Sequence, residues 1–208
     1  MSFDHTEFLE KNFEHLQSPQ SWYSKGLNLR RSARYLYKAT LPDIRRYETA
    51  RRRASRLLER SNKDFATIRC RTPEVLPIIA LYGLALENVF KAVMVHRNPK
   101  LIASKKMGSS LTGNHDLVRF ADHAKVSLSS FERQLLDWTS EVVVWKGRYE
   151  VPLEAKKLGS FWALDHSIGD NVRSCTKTLE AIFDRGSKQL PPKIYKRRFE
   201  GYSILVRT

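Results

Sequence analysis

Apolar positions recur along most of this chain at intervals of three and four residues, the spacing that gathers them on one side of an α-helix. Trp22, Leu29, Ala33 and Leu36 line one face of an opening helix. Phe131, Leu135, Trp138, Val142 and Trp145 line another, behind Ser129 and Glu132, which have the spacing of a capping box. Ile168, Val172, Cys175, Leu179 and Ile182 mark a last long helix, which Gly186 is placed to end. Residues 41–64 read as a further helix, opened by Pro42 near its first position. No segment alternates apolar and polar residues as a strand would. Residues 108–114 and 147–159 read as loops, and Pro191-Pro192 begins a tail expected to be extended or loosely attached. The pattern predicts an all-α bundle.

Residues 74–95 are apolar on nearly every side, interrupted mainly by Tyr82, Glu87, Asn88 and Lys91. A helix without a polar face belongs in the middle of a bundle. Glu87 and Lys91 are four apart and share a face. Inside a bundle they either form an ion pair that anchors packing or line a site between helices.

Charge changes the picture. Residues 25–71 hold fifteen of the chain's 37 Lys and Arg but four of its 22 acids, a local net charge of +11 out of +15 overall. Residues 185–208 add seven basic residues against one acid, while the remainder is close to neutral. A near-neutral body with two basic segments points to a polyanionic partner. On the 41–64 helix, Ile44, Tyr47, Ala50, Ala54, Leu57 and Leu58 fall on one side. Arg45, Arg46, Arg52, Arg53, Arg56, Arg60 and Lys63 cluster on another. Arginine gives planar, bidentate phosphate contacts, so this stripe and the tail residues Lys196, Arg197 and Arg198 are the candidate nucleic-acid-binding groups. Tyr35, Tyr37 and Tyr47 lie near the stripe, either to stack on exposed bases or as core or boundary residues of the bundle.

Ten Phe, eight Tyr and four Trp indicate a folded chain. No apolar run approaches the roughly 18–20 residues of a membrane span, the start has no signal-peptide pattern, and the two cysteines, Cys70 and Cys175, make no disulfide framework. A cytoplasmic protein that does not enter a membrane is expected. The six histidines have no metal-ligand spacing, and no phosphate-binding glycine loop or nucleophile elbow occurs, so neither metal nor cofactor is expected. His115 follows Gly113-Asn114 and opens HDLVRFADHAKV, where Asp116 is placed to cap or orient. It is either a structural group bonded across the bundle or one available for acid–base chemistry.

In order, SWYSKGLNLRRSARYLYKA, LYGLALENVFKAVMV, GNHDLVRFA and WKGRYEVP, followed by a last helix, resemble the HEPN domain, a helical bundle common in prokaryotic toxin–antitoxin and defence proteins. The resemblance covers residues 21–39 and 73–184. It makes residues 1–20 an N-terminal amphipathic segment and 21–184 the bundle. It also makes 41–71 a basic helical insertion and 185–208 a basic tail. It implies a homodimer with an antitoxin or defence partner, and a polar groove that would include Glu87, Lys91, His115, Arg148 and Tyr149. Many members are metal-independent endoribonucleases with an R-x4-6-H motif. Here Arg173 is followed by SCTKTLEA without a histidine, and Arg119 to His123 is R-x3-H. His115 and Arg148 are the catalytic candidates that remain, for proton transfer and phosphorane stabilisation. The leading expectation is a nucleic-acid-binding protein, with RNA favoured over DNA. A rearranged ribonuclease and a scaffold for an acidic protein are the alternatives.

Overall fold

The computed structural model describes residue 13 and residues 15–61, 70, 72–102, 108–112, 115–146 and 172–195. Across these residues the chain is all-α, with no strand. The elements are α1 (Pro19–Ser61), α2 (Leu76–Arg97), a 3-10 turn (Pro99–Leu101), α3 (Leu117–His123) and α4 (Ser130–Glu141). A π turn (Val142–Lys146) prolongs α4, and α5 (Val172–Ser187) and the single turn α6 (Pro192–Tyr195) follow.

α2 is the axis of the bundle. Fifteen of its 22 residues are buried, and it packs against α1, α3, α4, α5 and the π turn. Pro77 lies in its first turn, where a missing N–H breaks no helical hydrogen bond. By length and composition α2 is also sufficient to cross a membrane, contrary to the sequence expectation, but protein covers 83% of its most apolar window. Gly26 of α1 faces Ala85, Asn88 and Val89 of α2, whereas Ile44 of α1 clusters with Val75, just before α2 begins. The two helices are therefore antiparallel. At Gly26 a β-carbon would stand 3.0 Å from the Ala85 carbonyl oxygen, so glycine permits this close approach. α4 and the π turn meet α2 at Gly83, where a β-carbon would lie 2.5 Å from Val143 Cγ2 and 2.8 Å from Thr139 Cγ2.

Local signals are realised where the sequence placed them. Ser129 accepts from Glu132 N at 3.3 Å and Glu132 accepts from Ser129 N at 2.8 Å, closing the capping box of α4. Leu135, Trp138 and Val142 enter the core, while Phe131 in the first turn stays exposed. Val172, Cys175, Leu179 and Ile182 are buried as their spacing requires. Ile168 lies outside the described residues.

Two expectations are corrected. The sequence begins a new helix at Pro42, but α1 runs through it without a break for 43 residues, about 65 Å at 1.5 Å per residue. An interior proline costs a helix about 3 kcal/mol. Pro42 is solvent-facing, and Tyr37 and Ile44 on either side of it pack with Val75 and Val172. Tertiary contacts flanking the proline thus hold the chain helical across it. The basic segment is the outer part of the first helix and not a separate inserted helix; residues 62–69 and 71 of that segment lie outside the described residues. The tail is also better anchored at its start than expected. α5 continues one residue past Gly186, and Leu190 and Ile194 are buried in the main core. Residues 196–208 lie outside the described residues.

Candidate functional site

The outer half of α1 has a sparse apolar side, on which Ile44 and Ala54 are buried but Leu57 is 61% exposed. Its other side carries Arg45, Arg46, Arg52, Arg53, Arg56 and Arg60, all exposed. Arg46 reaches Asp43 at 3.5 Å and Arg52 reaches Glu48 at 3.6 Å, both long for ion pairs. Such exposed contacts are each worth a fraction of a kcal/mol, so they hold the guanidinium groups weakly. Because α1 is continuous, the same face extends toward the bundle through Lys38 and Tyr35, both exposed. Tyr37 is half-buried and packs against the Ile44–Val75–Val172 cluster. Tyr47 is half-buried and walls an open cleft of about 670 Å³ with Arg51, Arg52 and Arg56 of α1 and Arg173 of α5. Lys63, Lys196, Arg197 and Arg198 lie outside the described residues.

The polar groups of α2 converge as their spacing suggested. Lys91 Nζ donates to Glu87 Oε1 at 2.6 Å, and both side chains are more than nine-tenths buried. Lys91 Nζ also lies 5.0 Å from the Trp22 ring centroid and 5.2 Å from that of Phe120, so cation–π contacts from α1 and α3 complete its surroundings. The second carboxylate oxygen of Glu87 is 2.6 Å from His115 Nδ1. A carboxylate can only accept, so Nδ1 donates and the lone pair of the neutral ring is left on Nε2. His115 holds this position through a left-handed backbone (φ 58°), and Asp116 then caps α3 by accepting from Arg119 N at 2.9 Å. The His115 side chain is 38% exposed, which makes it the solvent-facing member of a three-residue chain. Arg148 and Tyr149, the other two expected groove residues, lie outside the described residues.

A second charged cluster escaped the sequence reading. Glu180 of α5 accepts from Arg30 Nε at 2.6 Å, from Arg34 Nε at 2.6 Å and from Tyr82 Oη at 2.8 Å, tying α1 and α2 to α5. Arg30 also pairs with Asp184 at 2.8 Å and lies 4.5 Å from the Phe183 ring centroid. Burial alone would raise the Glu180 carboxyl, but hydrogen bonds from Arg34, Arg30 and Tyr82 outweigh it and hold the group at about 2. Burial and the bond to Glu180 push the Tyr82 phenol well above its ordinary value. Arg30 and Arg34 therefore do not belong to the free basic surface, although composition counts them there. Glu180 flanks Leu179 on an otherwise amphipathic helix, and nothing in that spacing names its partners 146 and 150 residues away.

The stability conferred on the Glu180 carboxylate depends on pH in a predictable direction. Its folded value lies below the ordinary 4.5, so the contribution is complete above 4.5 and is lost as pH falls toward 2. Wild type and Glu180→Gln should differ most in denaturant stability at pH 6, and the gap should close between pH 4.5 and 2. A gap of constant size over that range would show that the carboxylate is not linked to folding.

Between α3 and α4, Asp116, Asp122 and Asp137 share an open groove with Arg119, His123 and Arg133. Arg133 neutralises Asp122 at 2.7 Å, while burial, then Glu141 and Asp116, raise the Asp137 carboxyl. Among the described residues no group of three or more His, Cys, Asp or Glu side chains is placed to hold a metal ion. The chain matches no protein-family model, no curated protein and no solved structure.

Proposed function

We propose that this is a HEPN-like helical protein that binds nucleic acid, RNA in preference to DNA, along the exposed face of α1. The observation that carries the reading is six arginines on one unbroken helix, facing solvent with two long contacts to acids among them. Phosphates would relieve the mutual repulsion of these charges, and arginine matches phosphate geometry. A single strand adds bases that can stack on an exposed ring such as Tyr35, which favours single-stranded RNA over a closed duplex. Anisotropy of a labelled single-stranded RNA across ionic strength tests the reading. Six phosphate contacts predict log K falling with log salt at a slope of about −4. A flat dependence, or no binding at low salt, would refute it.

A second reading is favoured by the His115–Glu87 contact. A histidine whose Nδ1 is fixed by a carboxylate can use Nε2 to take a proton from a ribose 2′-hydroxyl. The same RNA mixtures, incubated in EDTA and resolved on a denaturing gel, test for metal-independent cleavage. Scission by the wild type that disappears in His115→Gln would support a ribonuclease, and intact RNA with both would remove it.

A further inference from the structure

The cleft between α1 and α5 has a composition that a solvated helix face does not explain. Four guanidinium groups, Arg51, Arg52, Arg56 and Arg173, surround it against two carboxylates, Glu48 and Glu59, and Tyr47 supplies an aromatic wall. Its volume of about 670 Å³ falls in the range of roughly 300–1,000 Å³ typical of small-ligand sites. Arg173 comes from the first turn of α5, so the cleft joins the arm-like end of α1 to the bundle. Arg52 and Arg173 are not locked in tight pairs with Glu48: they stand 3.6 Å and 4.0 Å from the same carboxylate oxygen. Glu48 lies between two cations that it barely reaches, and guanidinium groups held this loosely by a carboxylate keep their bidentate capacity for a phosphate.

We propose that this cleft seats one nucleotide unit, its phosphate held between Arg52 and Arg173 and its base against Tyr47. The proposal rests on the nucleic-acid reading of α1 and adds to it a defined position on the strand. The carboxylate of Glu48 competes with the incoming phosphate for the same two guanidinium groups. Removing its charge must therefore strengthen binding, while removing Arg173 must weaken it. These opposite signs separate a phosphate site from a structural ion cluster, in which both changes would act through stability alone. The phosphate can be an internal diester of a strand or a terminal monoester, and the two differ in whether a 5′-phosphate is needed.

The test uses the full chain with adenosine 5′-monophosphate, inorganic phosphate, and a ten-nucleotide RNA carrying a 5′-hydroxyl or a 5′-phosphate, with binding followed by calorimetry and anisotropy. The mononucleotide should bind and compete with the RNA. Arg173→Gln should weaken the mononucleotide at least tenfold, and Glu48→Gln should strengthen it several-fold. Tyr47→Leu should weaken the mononucleotide but not inorganic phosphate. Equal binding of both RNAs identifies the ligand as an internal phosphate, and preference for the 5′-phosphate identifies a strand end. Thermal melts of each variant show whether the fold is retained. If RNA binds but the mononucleotide does not, or if Arg173→Gln and Glu48→Gln leave its affinity unchanged, the cleft proposal is overturned and the reading of α1 stands. If the mononucleotide binds with the expected signs but RNA does not, the cleft stands and the reading of α1 falls. If neither binds, both fall.

Discussion

Exchanging Arg52, Arg53, Arg56 and Arg60 for glutamate should weaken RNA binding about a thousandfold at 0.1 M salt. Each lost phosphate contact removes about 0.7–0.9 from the slope of log K against log salt. Four lost contacts, extrapolated from a 1 M reference in which ionic contacts are screened out, thus remove about three decades. Repulsion between phosphate and the new carboxylates adds to this. All four side chains are exposed, so no core contact is lost. Glutamate and arginine have nearly the same helix propensity, which leaves α1 intact apart from its last turn. There Arg60 lies beside the helix C-terminus, and a negative charge costs about 0.3–1 kcal/mol. Circular dichroism and melting temperature should therefore stay near wild type while binding disappears. Undiminished affinity in the folded variant would remove α1 as the binding surface.

The second large effect concerns stability. Glu87→Ala leaves Lys91 with its charge in the core, its ammonium facing the rings of Trp22 and Phe120. Removing one partner of a buried ion pair costs about 3–5 kcal/mol. For a chain of this size each kcal/mol shifts Tm by about 2–4 °C, so a loss of about 6–20 °C is expected. Replacing both residues together, Glu87→Leu with Lys91→Met, removes the unpaired charge and should recover most of that loss. A calorimetric melt of the three proteins decides the matter. If Glu87→Ala melts like wild type, water reaches Lys91 and the pair is not an anchor. His115 has its Nδ1 partner removed in both variants, so any cleavage activity should be lost even where stability returns.

How much of this was legible in the sequence depends on the distance over which each feature is decided. The α4 capping box and the buried stripe of α5 are set by residues three or four apart, and both appear in the pattern of the chain. Likewise, the Glu87–Lys91 pair was readable because one helical turn brings the two together. The junction at Pro42 was misread because its outcome depends on Tyr37, Ile44, Val75 and Val172, which come from three segments. His115 drew attention through its place after a loop, but its contact with Glu87 spans 28 residues and follows from how α3 packs on α2. Arg30 and Arg34 looked like two more members of a basic run. Only the docking of α5 separates them from the arginines that still face solvent.

The continuity of α1 also sets the rates at which its two ends open. Near the bundle, α1 packs along α2 and is tied to α5 through Arg30 and Arg34, so its amide hydrogens there are exposed to solvent only when the core itself comes apart. Beyond Ile44 few large apolar contacts remain among the described residues, and the turns can open one after another from Ser61 inward. A single helix therefore holds a slow-exchanging root and a fast-breathing tip. The ordering cost of any ligand held along its outer arginines falls on the tip alone, while the rest of the fold is already in place.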